Sequence, residues 1–166
     1  MTRQARNTRT LIGRAGGLYA DSAGWADVWL RPLALLGARL LVARVFLLSG
    51  LTKWNGFSIR EDAFYLFADE YFARYALPAG ITNAFTVLAA VGEIALPLML
   101  ALGFLSRFAA AGLLVMTAVI QLFVYPQEWW TVHAWWMALL AVLISVGPGA
   151  WSVDRLLKLE KGKGAV

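Results

Sequence analysis

Residues 83–105 read N-A-F-T-V-L-A-A-V-G-E-I-A-L-P-L-M-L-A-L-G-F-L and contain a single ionisable side chain, Glu93. A helix of about 20 apolar residues crosses the roughly 30 Å of hydrocarbon in a bilayer. This run is long enough, and too apolar to sit on the surface of a protein in water. Three more runs of spanning length follow the same pattern at 33–52, 108–125 and 130–146.

Together they predict an all-α fold: an integral membrane four-helix bundle over 33–147, between basic tails at 1–32 and 148–166. Composition agrees. Hydrophobic residues are 60% of the 166 and charged ones 15%, against roughly 45–50% and 25% in ordinary soluble domains. A soluble chain of this length has too little interior to hide that apolar surface.

Residues 1–32 carry Arg3, Arg6, Arg9, Arg14 and Arg31. They lack the apolar core and cleavage site of a secretory signal. The expectation there is an irregular cytoplasmic tail with a short interfacial segment near 24–30. That tail, the link at Arg107, and Arg155, Lys158, Lys161 and Lys163 fall on one side of the four spans. Lys/Arg bias makes that side cytoplasmic, as for a multi-pass membrane protein. The net charge of +5 therefore reads as a topology signal, and no nucleic-acid groove accompanies it.

Between the first two spans, 58–76 reads S-I-R-E-D-A-F-Y-L-F-A-D-E-Y-F-A-R-Y-A. Ser58 and Glu61 have capping-box spacing, and aromatics alternate with charges. An amphipathic helix lying in the outer interface is predicted.

The absence of Cys and the single His, His133, leave no thiolate chemistry, no metal site and no bis-histidine haem within one chain. No hydrolytic constellation is present either. The informative residues are the polar ones inside the spans, each costing about 2.5–3.5 kcal/mol to insert when charged. Counted at 1.5 Å per residue from Arg31, Arg107 and Glu128, four of them reach a common depth of about 20–22 Å: Arg44, Glu93, Gln121 and His133. One reading is a ligand pocket lined by this layer and rimmed by Trp129, Trp130 and Trp136. The other is structural, with Arg44 neutralising Glu93, and tryptophans there simply as interface residues.

Helical periodicity gives a second pattern. At 100° per residue Arg39, Gly50 and Lys53 share one face, as do Glu93 and Arg107, while Arg44 lies well around from Arg39. Pro97, one turn after Glu93, should kink its helix and free a carbonyl. Gly37, Gly92 and Gly112 allow close helix approach and make a homo-oligomer plausible on packing grounds.

The run R-L-L-V-A-R-V-F-L-L-S-G-L-T-K, Arg39 to Lys53, resembles the first-helix motif of the DoxX family. The run E-I-A-L-P-L-M-L-A-L-G-F-L-S-R, Glu93 to Arg107, resembles its second-helix motif and G-x-x-T/S-R exit. The motif residues carried over are Arg39, Gly50, Lys53, Glu93, Gly103, Ser106 and Arg107, over a resemblance spanning about 33–147. Pro97, where glycine is commoner, and Arg44 depart from the pattern.

The resemblance implies a bacterial four-helix membrane protein. It takes its name from a small subunit of a thiosulfate:quinone oxidoreductase, other members accompany redox and detoxification complexes, and distant animal relatives assist receptor assembly. Function on that basis is analogy. The leading expectation is a non-electron-carrying subunit that binds a quinone or other lipid-soluble ligand, holds no covalent cofactor, and meets a redox or other protein partner as well as membrane lipid. The alternative is a non-catalytic scaffold or assembly factor whose Arg/Glu layer is purely structural. Transport is a weaker third, since four short helices without an internal repeat make a poor monomeric transporter.

Overall fold

The computed structural model describes residues 3–159, with side chains from residue 16 onward. Lys161 and Lys163 of the basic tail lie outside the described residues. Helix α1 (Arg3–Leu51) is followed by a two-stranded hairpin, β1 (Trp54–Asn55) and β2 (Ser58–Ile59). A short α2 (Glu61–Tyr65) runs into a π-helical turn at Leu66–Tyr71 and a 3-10 turn at Ala73–Tyr75. Then come α3 (Ala79–Leu102), α4 (Ser106–Val119), α5 (Ala134–Val146) and α6 (Val153–Leu156).

Four helical segments are long and apolar enough to cross a membrane: 16–51, 79–102, 106–124 and 126–146. α3 packs on α1 and α4, and α5 closes the ring against α4 and α1. Leu35, Val42, Phe46, Leu100, Leu113, Leu140 and Leu143 form the core with Ala109 and Ala110. Large apolar side chains point outward all round, among them Leu41, Leu88, Phe108, Val115, Leu122 and Trp135. Water would not tolerate such a belt, and lipid does. The chain is a multi-pass four-helix membrane bundle.

The structure departs from the sequence expectation at three places. The first is the N-terminal tail, where 16–32 continue α1 instead of forming an irregular segment. Pro32 lies inside the helix. It removes one hydrogen bond, to the Val28 carbonyl, and the Ala-, Leu- and Trp-rich turns before it still favour helix.

The second is the outer loop. Ser58 sits in β2 and its hydroxyl donates to the Asn55 carbonyl at 3.0 Å, so no capping box forms. Arg60 precedes α2 with no side-chain cap. Gly56, at φ +61°, allows the tight hairpin that claims Ser58.

The third is helical width. Span three widens into a π-helical turn at Ile120–Val124, and span four begins with one at Trp129–His133. Gln121 and His133 occupy those two turns. π-turns are rare and concentrate where side chains must be re-aimed.

α3 is framed by strong local signals. Pro78 stands at its N-cap and Gly103, at φ +72°, ends it. Gly103 N–H donates to Leu100 and Phe104 N–H to Met99, the two bonds of a Schellman cap.

Candidate functional site

The polar residues of the spans gather in three places. The first is the end of the bundle that carries the chain termini. Arg39 is 1% exposed although charged. Its Nε donates to the Leu100 carbonyl at 2.9 Å, and Nη2 to Ala101 at 2.7 Å. Nη1 donates to Pro148 at 3.0 Å and to Trp151 at 2.7 Å. Arg39 thus caps the C-terminal carbonyls of α3, where the helix dipole is negative, and ties them to the segment after α5.

Gly103 must be small for this. A Cβ there would lie 2.6 Å from Ser152 Cβ and 2.9 Å from Arg39 Nη2. Asp154, 3% exposed, accepts from the N–H groups of Leu105 at 2.7 Å and Ser106 at 2.8 Å. It caps the positive end of α4 from a position 48 residues downstream. Arg107 donates to the Ile144 and Ser145 carbonyls. This end reads as a structural clasp.

The second gathering is at the far end of α1. Lys53 Nζ lies 2.5 Å from Glu93 Oε2, with side chains 10% and 6% exposed. The partner of Glu93 is therefore Lys53, and the expected Arg44–Glu93 pairing does not occur. Helical geometry gives the reason: Arg44 and Lys53 are nine residues apart, about 180° around an α-helix. Arg44 is exposed on the side facing away.

Gly50 lets α1 approach α3. A Cβ on it would come within 2.8 Å of the Glu93 carbonyl oxygen. That is the carbonyl Pro97 leaves without an intrahelical donor. The crossing thus rests on two residues that give up something: Gly50 its side chain and Pro97 its N–H. Trp54 Nε1 adds a hydrogen bond to the Ala90 carbonyl, at 3.1 Å.

Lys53 does not end in a closed core. It forms part of the wall of a cleft of about 650 Å³ between the end of α1 and the 60–71 segment. Ser49, Thr52, Arg60, Asp62, Asp69, Glu70 and Tyr71 line it too. Glu93 stands behind the lysine. The other contacts of Lys53 Nζ are long: 3.3 Å to Ser49 Oγ and 3.4 Å to the Ser49 carbonyl. An ammonium has three donors, and only one is well used.

Tyr71 sits nearby, its hydroxyl accepting from Tyr125 at 3.4 Å. Burial, then that hydrogen bond, pushes its pKa above the ordinary value. At the rim Arg60 and Asp62 form an exposed pair at 2.5 Å; the hydrogen bond from Arg60 lowers the Asp62 pKa.

The third gathering joins Gln121 and His133. His133 Nδ1 lies 2.6 Å from Gln121 Oε1, which makes Nδ1 the protonated nitrogen. Trp136 stacks edgewise on the imidazole at 5.3 Å and packs on Phe46 at 5.4 Å. So Trp136 is packed against the core, whereas Trp129 and Trp130 are exposed. None of the three lines the cleft, whose aromatic members are Tyr65 and Tyr71.

Sequence reasoning did not single out Asp154, Tyr71, Ser49 or Trp54. Asp154 had no local signal, because it caps a helix far away in sequence. Ser49 could have been found, since it lies one turn before Lys53 on the same face.

This architecture defines a small helical membrane protein built on two clamps, one around a buried arginine and one around a buried Lys–Glu pair. The DoxX family model matches residues 34–126, more than half of the chain, and the chain belongs to the DoxX family. Arg39, Gly50, Lys53, Glu93, Gly103, Ser106 and Arg107 all fall inside the match, and His133 and Asp154 outside it. An uncharacterized protein of Haemophilus influenzae is 29% identical over 142 residues, covering 76% of this chain and 84% of its own length. No solved structure matches.

Proposed function

We propose that the chain is a small subunit of a redox complex in the bacterial cytoplasmic membrane, and that it binds the head of a quinone or similar lipid-soluble ligand against Lys53. The observation that carries this reading is a buried lysine on the wall of a cleft, with one short contact, to Glu93, and two long ones, to Ser49, that a better acceptor could replace. A quinone offers two carbonyl oxygens, and an N–H donor in a partly dry site polarises one of them more strongly than water does.

Glu93, at 2.5 Å, orients Lys53. Reduction of a quinone to its quinol takes up two electrons and two protons. The electrons come from a protein partner, since the chain's own residues include no electron carrier. Lys53 and Tyr71 stand where protons would be delivered. The Lys/Arg bias of the two ends supports cytoplasmic termini, which puts the cleft in the outer half of the membrane.

The test is equilibrium binding of a short-chain quinone to the purified protein in nanodiscs. Wild type should bind saturably, and Lys53→Met/Glu93→Leu, which keeps the packing and removes the donor, should not. Equal binding by both would refute the reading.

A second reading has its own support. Arg39 is fully engaged within the chain, and Gln121 pairs with His133. Those contacts suit a scaffold or assembly factor whose buried polar groups fix helix register. Co-purification of a protein partner together with no quinone binding would favour it.

A further inference from the structure

α1 is too long for the bundle it belongs to. Its described side chains, 16–51, span about 54 Å at 1.5 Å per residue, against about 30 Å of hydrocarbon. Contact with the bundle fades near Leu35, which is buried against Gly149. Residues 16–33 lie beyond it, include Pro32 near their C-terminal end and fall outside the 34–126 family match.

This projecting segment is not polar. Leu18, Trp25, Trp29 and Leu33 are 73%, 59%, 58% and 50% exposed. At 100° per residue they fall within about 80° of one another. Asp21, Asp27 and Arg31 lie outside that sector and are exposed too. Over 1–33 the sequence carries five Arg and two Asp, a balance of 5 − 2 = +3.

The segment 16–33 itself carries Arg31 against Asp21 and Asp27, 1 − 2 = −1, and four arginines precede it. A helix rich in exposed Trp and Leu, preceded by arginines and joined to a membrane bundle at a proline, has an obvious plane beside it. The same end of the bundle carries exposed Trp151, Leu156 and Leu157 next to Arg155 and Lys158. That is a second apolar and basic element at the level where Arg39 binds the Trp151 carbonyl.

We infer that residues 16–33 form a membrane-surface segment that the arginines just before it, Arg3, Arg6, Arg9 and Arg14, hold to anionic lipid. It lies on the bilayer surface with Leu18, Trp25, Trp29 and Leu33 at the acyl boundary, and those arginines supply the attraction to acidic headgroups. Pro32 is where the helix bends out of the bundle axis. The occupant of the apolar face is the protein's own membrane.

The chain has no cysteine, so single reporters can be placed cleanly in the full-length protein. Ser22→Cys falls inside the apolar sector and Ala26→Cys about 20° beyond its edge; Ala20→Cys and Gly24→Cys fall on the opposite side. None removes a charge or a tryptophan. Each is spin-labelled, reconstituted in nanodiscs with or without 30% phosphatidylglycerol, and read by power saturation with oxygen and with a water-soluble nickel chelate.

With anionic lipid, positions 22 and 26 should be accessible to oxygen and shielded from nickel, and 20 and 24 the reverse. The contrast should weaken in phosphatidylcholine alone, and on changing Arg3, Arg6, Arg9 and Arg14 to Gln, by about fivefold in the bound-to-free ratio per arginine. Uniform nickel accessibility at all four positions in anionic discs would overturn the inference. Dipolar broadening at 22 and 26 that vanishes on dilution with unlabelled protein would overturn it as well, because the face would then be covered by a second copy.

Discussion

Lys53→Met and Glu93→Leu, made singly and together, give a sharp test of what the buried pair does energetically. The pair is 2.5 Å apart with side chains 10% and 6% exposed. Removing the lysine strands a carboxylate behind a cleft wall. Removing the carboxylate strands an ammonium whose remaining contacts, at 3.3 and 3.4 Å to Ser49, exceed ordinary hydrogen-bond lengths.

Breaking a buried pair by deleting one partner costs about 3–5 kcal/mol, whereas replacing both by apolar groups of similar volume is near neutral. The lysine borders the cleft, so some hydration softens the penalty, and about 3 kcal/mol for each single variant is the expectation. The double variant should lose no more than about 1 kcal/mol. The coupling energy is then about 5 kcal/mol, far outside experimental error in a double-mutant cycle. Reversible unfolding in mixed micelles, monitored by circular dichroism, supplies the four free energies. Additive losses, with the double variant falling by the sum of the singles, would refute the argument that the two groups stabilise each other.

Other consequences are more local. Gly103→Ala should destabilise by about 2–3 kcal/mol, from the left-handed backbone and the clash with Ser152, while Leu105→Gly should stabilise by about 1 kcal/mol because Leu105 is itself left-handed at φ +44°; both are read by the same unfolding assay. Asp154→Ala removes the cap on α4 and leaves the Leu105 and Ser106 N–H groups unpaired. A loss of about 2 kcal/mol and faster amide exchange at 105–107 are expected. Tyr71 ionises in the unfolded chain near its ordinary 10.0 and later in the folded one, its pKa being raised chiefly by burial. Its contribution is fully present below pH 10 and is lost as pH rises through the folded value. Ultraviolet titration should therefore show a tyrosine that resists ionisation at pH 11 in wild type and is missing from Tyr71→Phe.

Much of the bundle was legible because the bilayer imposes simple demands. Length and apolarity mark the spans, whereas the ends of α3, read as 83–105, are set by cap chemistry at Pro78 and Gly103. The shared face of Arg39, Gly50 and Lys53 was visible from the 100° step alone. What could not be read was partner choice. Depth arithmetic placed Arg44 near Glu93 in height but carries no azimuth, and the azimuth gives the pairing to Lys53. The outer loop failed for a different reason: Ser58 had two local uses, helix cap and hairpin partner, and Gly56 decided for the hairpin. π-turns at Gln121 and His133 leave no period in a uniformly apolar run. Asp154 and Arg39 act on distant helix ends, and no window of sequence contains both partners.

The central claim is that the cleft beside Lys53 holds a quinone-class head group. Native mass spectrometry of the protein released from bacterial membranes in mild detergent tests it most directly. Wild type should carry an adduct of quinone mass that organic extraction identifies as such, and Lys53→Met/Glu93→Leu, folded by circular dichroism, should come free of it. Wild type without any quinone adduct, or an adduct undiminished in the double variant, would contradict the account.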